Sequence, residues 1–209
     1  MTVRVKICGL KDTKNLQVAI DAGADFVGFV DYPKSPRHIT QPDIAKLIAV
    51  IPANVASVVV TVNPANSWLE QIHFPVSYIQ LHGDESPERV REIRNRLVGT
   101  KIIKAISVEN AEDIASASDY ANVADIILFD TKVPNQHGGS GIAFDWSLLK
   151  EKHIALPWML SGGLNVGNIK EAILQTGAAI VDVSSGVETA PGVKDAALIK
   201  QFIEAAKNV

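Results

Sequence analysis

The stretch VRVKICGLK, residues 3–11, decides between the two architectures open to this chain. Residues 3–8 form a short run rich in Val and Ile, which reads as a strand, and Cys8, Gly9, Leu10 and Lys11 follow it at once. A dinucleotide-binding open sheet would place a GxGxxG turn at that point, and none is present. Working outward, the pattern recurs at 25–30, 55–62, 76–81, 101–106, 124–130, 157–161 and 179–184. These runs are nearly continuously apolar, as strands covered on both faces must be. Eight strand-plus-helix units over 209 residues allow about 26 residues each, the spacing of a compact (β/α)8 barrel. The fold class expected is therefore α/β, a single TIM-type barrel over residues 1–209.

The segments between the strands carry helix signals. Ser86 is an N-cap with Pro87 in the first helical position; Val90, Ile93, Leu97 and Val98 fall on one face, and Gly99 stops the helix. From about Asp195, the residues Leu198, Ile199, Phe202, Ile203 and Ala206 make a core-facing stripe. Further helices are expected at 13–22, 41–51, 65–73, 108–119, 144–150 and 166–176. No linker separates two halves of the chain.

Composition narrows the function. With 20 Lys and Arg against 23 Asp and Glu, the net charge is -3, and no basic cluster exists to neutralise nucleic-acid phosphates, so no nucleic-acid partner is expected. No apolar run approaches the roughly 20 residues needed to cross a bilayer, and the N-terminus lacks a leader's apolar stretch. A cytoplasmic protein without a membrane partner is expected. The single Cys8 excludes an internal disulfide, and the five histidines are scattered, so no metal site is expected.

In such a barrel the chemistry sits at the C-terminal strand ends. There the sequence offers Cys8, Gln80 and His82, Asp130, Ser161, Asp182 and Ser184. The turns SGGL and SSGVE, with Gly162, Gly163, Ser185 and Gly186, let backbone N–H groups approach an anion, which points to a phosphorylated small-molecule substrate; tight strand-to-helix turns are the plainer use of those glycines. Cys8 reads either as a small buried hydrophobe or as a thiolate base, and Asp130, closing the run IILF, as its opposed acid. Asp182 reads as a buried anchor or a site residue, Arg37 as a solvated charge or a carboxylate clamp, and His82 as orienting a loop or touching substrate. Trp68, Trp146 and Trp158 read as packing residues.

Taken in order, KICGL (6–10), GAD..GFV (23–30), SPR (35–37), QLHGDE (80–85), LFDT (128–131), GGSG (138–141), FDW (144–146), LSGGL (160–164), VDVSSGVE (181–188) and PGVKD (191–195) resemble the phosphoribosylanthranilate isomerases of tryptophan biosynthesis. The likeness covers essentially the whole chain. It implies a ribulose-phosphate-binding barrel and a cofactor-free Amadori rearrangement of N-(5-phosphoribosyl)anthranilate to 1-(2-carboxyphenylamino)-1-deoxyribulose 5-phosphate. It also implies a monomer or a homodimer. By the same resemblance Cys8 is the general base and Asp130 the general acid. Arg37 contacts the anthranilate carboxylate, Gly162, Gly163, Ser185 and Gly186 hold the phosphate, and Asp182 lies near the substrate. From their places at the strand ends, Ser184 is expected to join the phosphate turn and His82 the substrate site.

Two positions depart from that family. Asp31 and Thr61 stand where an aromatic residue is usual, and Asp31 is expected to bring an extra carboxylate to the mouth beside an anionic substrate. The segment from Thr131 to Gly141 is expected to form a loop over the site. Two other readings compete. The related sugar isomerases of histidine biosynthesis, or a dual-substrate version, have an aspartate where this chain has Cys8. A phosphate-ligand sensor would have no use for an acid and a base.

Overall fold

The computed structural model describes residues 2–132, 143–150, 152 and 154–209. Eight parallel strands close on themselves in chain order: β1 (Arg4–Cys8), β2 (Phe26–Val30), β3 (Ala56–Thr61), β4 (Tyr78–Leu81), β5 (Lys101–Val108), β6 (Ile126–Thr131), β7 (Trp158–Leu160) and β8 (Ile180–Val183). Their period of two divides the interior from the shell. Phe26, Val58, Ile103, Leu128, Met159 and Ile180 fill the barrel lumen. Val5, Ile7, Phe29, Val59, Ile79, Ile102, Phe129 and Val181 face outward and pack against the helices.

The helices are α1 (Thr13–Asp21), α2 (Gln41–Ile48), α3 (Asn66–Leu69), α4 (Pro87–Arg96), α5 (Ala111–Ala115), α6 (Ile169–Thr176) and α7 (Ala196–Lys207). Their starts follow from side chains that satisfy free N–H groups: Asp12 accepts from Asn15, Ser86 from Arg89, and Asp195 from Ala197 and Leu198, while Asn110 and Asp113 form a capping box.

The sequence expectations are corrected at several points. The expected helix at 65–73 is a single turn, 108–119 divides into α5 and a 3₁₀ turn (Ser116–Tyr120), and 144–150 gives a 3₁₀ turn (Trp146–Leu149). Val98 is not on the buried face of α4. That helix ends at Arg96, Leu97 leaves helical geometry, and Val98 is 89% exposed. Between β8 and α7 lies an unforeseen hairpin of β9 (Glu188–Ala190) and β10 (Val193–Lys194). The expected loop over the mouth falls largely on residues 133–141, outside the described residues.

Candidate active site

Strand alternation assembles the site. The inward parity that puts Phe26 or Leu128 in the lumen continues upward to Cys8 on β1, Gln80 on β4 and Asp130 on β6. It reaches Asp182 on β8, and His82, Ser161 and Ser184 just past their strands. All of these line one cleft at the C-terminal end of the barrel, together with Tyr32, Ser35 and Arg37, around some 520 Å³ of atom-free space. Six of the ten expected site residues, Cys8, Arg37, His82, Asp130, Asp182 and Ser184, therefore meet in that cleft. Gly162, Gly163, Ser185 and Gly186 are not among its lining residues; they lie in the two adjoining turns. Gly162 and Gly163 have φ of 86° and 65°, which only glycine adopts without strain. A Cβ at Gly162 would strike Thr131, and one at Gly186 would strike the Leu164 carbonyl, so close turn packing is visible at both.

On one side of the cleft, Asp130 is buried and accepts two hydrogen bonds. The Thr131 N–H donates to Oδ1 at 2.9 Å, and His82 Nε2 lies 3.1 Å from Oδ2. Behind His82, Gln80 Nε2 is 2.8 Å from Nδ1, an arrangement that leaves Nε2–H to donate to Asp130. His82 thus links Gln80 to the candidate acid. Gln80 Oε1 is buried at the cleft wall without a hydrogen-bond partner among the described residues.

Opposite, Cys8 is buried, 6% exposed. Burial pushes its thiol above the usual value, and Asp182 adds to that, while the Lys6 and Lys194 ammonium groups work the other way. Asp182 accepts from Lys6 Nζ at 2.9 Å and from Ser161 Oγ at 3.2 Å, so it is an anchored carboxylate within the site. Ser184 Oγ donates to the Cys8 carbonyl at 3.2 Å.

Arg37 is no solvated charge. It is 8% exposed and forks onto Glu188, Nε to Oε1 at 2.8 Å and Nη2 to Oε2 at 2.7 Å. Lys194 Nζ also reaches Glu188 Oε1 at 2.7 Å and the Ser184 carbonyl at 2.9 Å. The β9/β10 hairpin thereby fixes the loop that carries Arg37, and Gly192 sits where a Cβ would meet the Pro36 carbonyl. Sequence reasoning missed Glu188, Lys194 and Lys6. The one available signal was a lysine at every-second-residue spacing from Cys8 inside an apolar run.

Asp31 is corrected. Its parity is that of outward-facing Phe29, and its carboxylate leaves the cleft to accept from Trp68 Nε1 at 2.7 Å and to meet His38 Nε2 at 3.2 Å. Thr61, on outward parity, also faces away from the cleft, whose wall there is Val60 and Val62. Trp68 does more than pack, since its indole N–H has this carboxylate as partner. Among the described residues, no group of three or more His, Cys, Asp or Glu is arranged to hold a metal ion, and no helix is long and apolar enough to cross a membrane.

Known proteins resemble this chain closely. The family model for N-(5'-phosphoribosyl)anthranilate (PRA) isomerase matches residues 5–205. The N-(5'-phosphoribosyl)anthranilate isomerase of Paracoccus denitrificans is 49% identical over 208 residues, 97% of this chain and 96% of that one. The crystal structure of phosphoribosyl anthranilate isomerase from Thermotoga maritima is 40% identical, covers 99% of this chain and 100% of its own, and superposes with a TM-score of 0.89. A phosphoribosyl anthranilate isomerase solved in complex with reduced 1-(o-carboxyphenylamino)-1-deoxyribulose 5-phosphate is 37% identical with a TM-score of 0.83, and covers 99% of this chain and 100% of its own.

Proposed function

This chain belongs to the N-(5'-phosphoribosyl)anthranilate isomerase family, and on that premise we propose which of its residues carry the reaction. It is an isomerase of tryptophan biosynthesis, converting N-(5-phosphoribosyl)anthranilate into 1-(2-carboxyphenylamino)-1-deoxyribulose 5-phosphate by general acid/base catalysis. One observation carries the assignment of roles: Cys8 and Asp130, a potential base and a potential acid, line the same cleft from strands on different sides of the barrel.

In this reading Asp130 gives its proton to the ribose ring oxygen as the C1'–O bond breaks and the nitrogen lone pair forms C1'=N. Cys8, as thiolate, then takes the C2' proton; the C–H electrons form C1'=C2', and the iminium electrons return to nitrogen. The resulting enolamine accepts a proton at C1' from the Cys8 thiol and loses its C2' hydroxyl proton to the Asp130 carboxylate, giving the ketone and restoring both groups. His82 holds Asp130 in place and offers it a proton. Arg37, with Nε and Nη2 spent on Glu188, presents its remaining donor face to the anthranilate carboxylate. The turns at Gly162, Gly163, Ser184, Ser185 and Gly186 receive the phosphate on backbone N–H groups. Gln80 Oε1 accepts from a sugar hydroxyl. The substrate is small, diffusible and phosphorylated, and we place the reaction in the cytoplasm.

The test is loss of anthranilate fluorescence when the purified protein meets phosphoribosylanthranilate made in place. Cys8→Ala and Asp130→Asn are each expected to lower turnover by about 10²–10⁴, the usual range for one acid or base group. Turnover in Cys8→Ala equal to that of the unaltered protein would remove Cys8 from the role.

A further inference from the structure

We propose that Lys6 is a positioning residue of the proton-abstraction step: a buried ammonium that stabilises the Cys8 thiolate from below, with Asp182 as the counter-ion that holds it there. The proposal rests on the reading of Cys8 as the base and deepens it, since a thiol closed off from water needs some source of stabilisation for its charged form.

The placement comes from three geometric observations. Lys6 and Cys8 share the inward face of β1, two residues apart, and Lys6 is fully buried. Lys6 is the register partner of Asp182 on β8, and the two side chains meet at 2.9 Å. Beside them on β2, the register partner of Cys8 is Gly28, and a Cβ there would lie 3.0 Å from Cys8 Sγ and 3.3 Å from Lys6 Cε. The missing side chain lets the sulfur and the lysine stem draw together over one point. Gly28 needs no left-handed backbone, so this close approach is the visible use of a glycine in the middle of a strand.

Charge supplies the motive. The groups on the elements around Cys8 are Lys6 from β1, Asp182 from β8, Arg37 from the loop after β2, and Glu188 and Lys194 from the hairpin; His82 and Asp130 face them from β4 and β6. On the Cys8 side these are three cations against two carboxylates among the described residues, each cation at 10% side-chain exposure or less. Of these cations, Lys6 shares the inward face of β1 with Cys8. Burial works to discharge Lys6, yet Asp182 and Cys8 together hold its ionisation above the usual lysine value, so it stays an ammonium. The Lys6 charge is also the largest influence opposing the effect of burial on Cys8.

Cys8 is the sole cysteine, so a thiol titration followed by thiolate ultraviolet absorbance and by the rate of iodoacetamide reaction reports on it alone. Lys6→Met is expected to raise the midpoint by at least about one pH unit and slow alkylation near neutral pH about tenfold. Asp182→Asn removes the opposing anion and leaves the Cys8 thiolate as the group that keeps Lys6 charged, so the midpoint is expected to move down, and Lys6→Met/Asp182→Asn to fall between the two. The limb of the kcat profile set by thiolate formation should move with the thiol in each variant. Opposite shifts show that both charges act on the thiol, and a matching move of the kcat profile ties them to proton abstraction. Midpoints that stay in place, or move the same way in both single variants, would overturn the proposal. Should Lys6→Met fail to fold, Asp182→Asn and the double variant still carry the test through their signs. The titration needs no substrate, so it stands or falls apart from whether Cys8 is the catalytic base, which the Cys8→Ala turnover decides.

Discussion

Among the buried lysine–carboxylate pairs of this barrel, Lys6–Asp182 and Lys104–Glu85 differ in what surrounds them. Lys6–Asp182 lies inside the barrel lumen; Lys104–Glu85 lies outside its wall, on the outward parity of β5 and beneath the helices. Both close at 2.9 Å with side chains 5% exposed or less. The outer pair is saturated. Lys104 Nζ donates to Glu85 Oε2, to the Gly83 carbonyl at 2.6 Å and to the Ala105 carbonyl at 2.9 Å, and stands 5.7 Å from the centre of the Tyr120 ring. Glu85 in turn accepts from the N–H groups of Asn63 and Gly83. The inner lysine meets one carboxylate and shares its strand face with a thiol two residues on, and its carboxylate lines the cleft. A buried charge with every valence filled holds a turn, here the HGDE turn that carries His82. One with a valence facing a reactive group is available to chemistry.

Replacing charges tests that distinction with the largest effects. Removing one partner of a buried pair strands the other, so Lys104→Met is expected to cost about 3–5 kcal/mol in urea unfolding, without moving the Cys8 titration. Replacing both partners by apolar side chains, as in Lys104→Met/Glu85→Leu, should recover most of that loss, because two desolvated charges are close to neutral against a packed apolar pair. The same treatment at Lys6 and Asp182 should recover stability and not turnover. Full turnover in Lys6→Met/Asp182→Leu would erase the contrast between the two pairs.

Glu188 sharpens the comparison at the next size of effect, since its side chain is buried like that of Glu85 but bound to Arg37, which lines the cleft. Burial tends to push its carboxyl up, but the Arg37 fork and Lys194 overcome this and hold it below the usual glutamate range. A lowered carboxyl contributes stability above its ordinary value, near 4.5, and loses it as pH falls through the folded value. Glu188→Gln should therefore be less stable than the unaltered protein at neutral pH, by an amount that shrinks on acidification. Released from its partner, Arg37 should bind substrate less well, with KM raised about tenfold at nearly constant kcat, as expected for a weakened charge-assisted hydrogen bond. A fall in kcat at constant KM would place Glu188 in the chemistry instead.

What the sequence made legible, and what it did not, follows from the range of each interaction. Strand runs and caps are local, so eight strands, the closed order and the cleft-lining positions of Cys8, His82, Asp130 and Asp182 could be read from spacing and resemblance. Ion pairs are not local. Lys6 meets Asp182 across 176 residues and Arg37 meets Glu188 across 151, and only the register of β1 against β8 and the fold of a very short hairpin bring them together. A one-residue change of parity also reverses a role. The apolar spacing puts Val98 on a helical face that ends before it, and a strand end alone does not say which way the side chain of Asp31 turns.

Asp31 gives the smallest and most specific test of that parity argument. Asp182 on inward parity lines the cleft, while Asp31 on outward parity is spent on Trp68 and His38. Asp31→Asn keeps an acceptor for the Trp68 indole and loses only the charge, so unfolding should show a loss of about 0.5–1.5 kcal/mol, the net worth of an ordinary hydrogen bond. Substrate KM should stay within about twofold, because the substituted group faces the helices and removing it changes no interaction with bound substrate. A fall in KM of tenfold would mean that the carboxylate does repel the anionic substrate, and that strand alternation fails to predict orientation just where β2 gives way to the loop bearing Arg37.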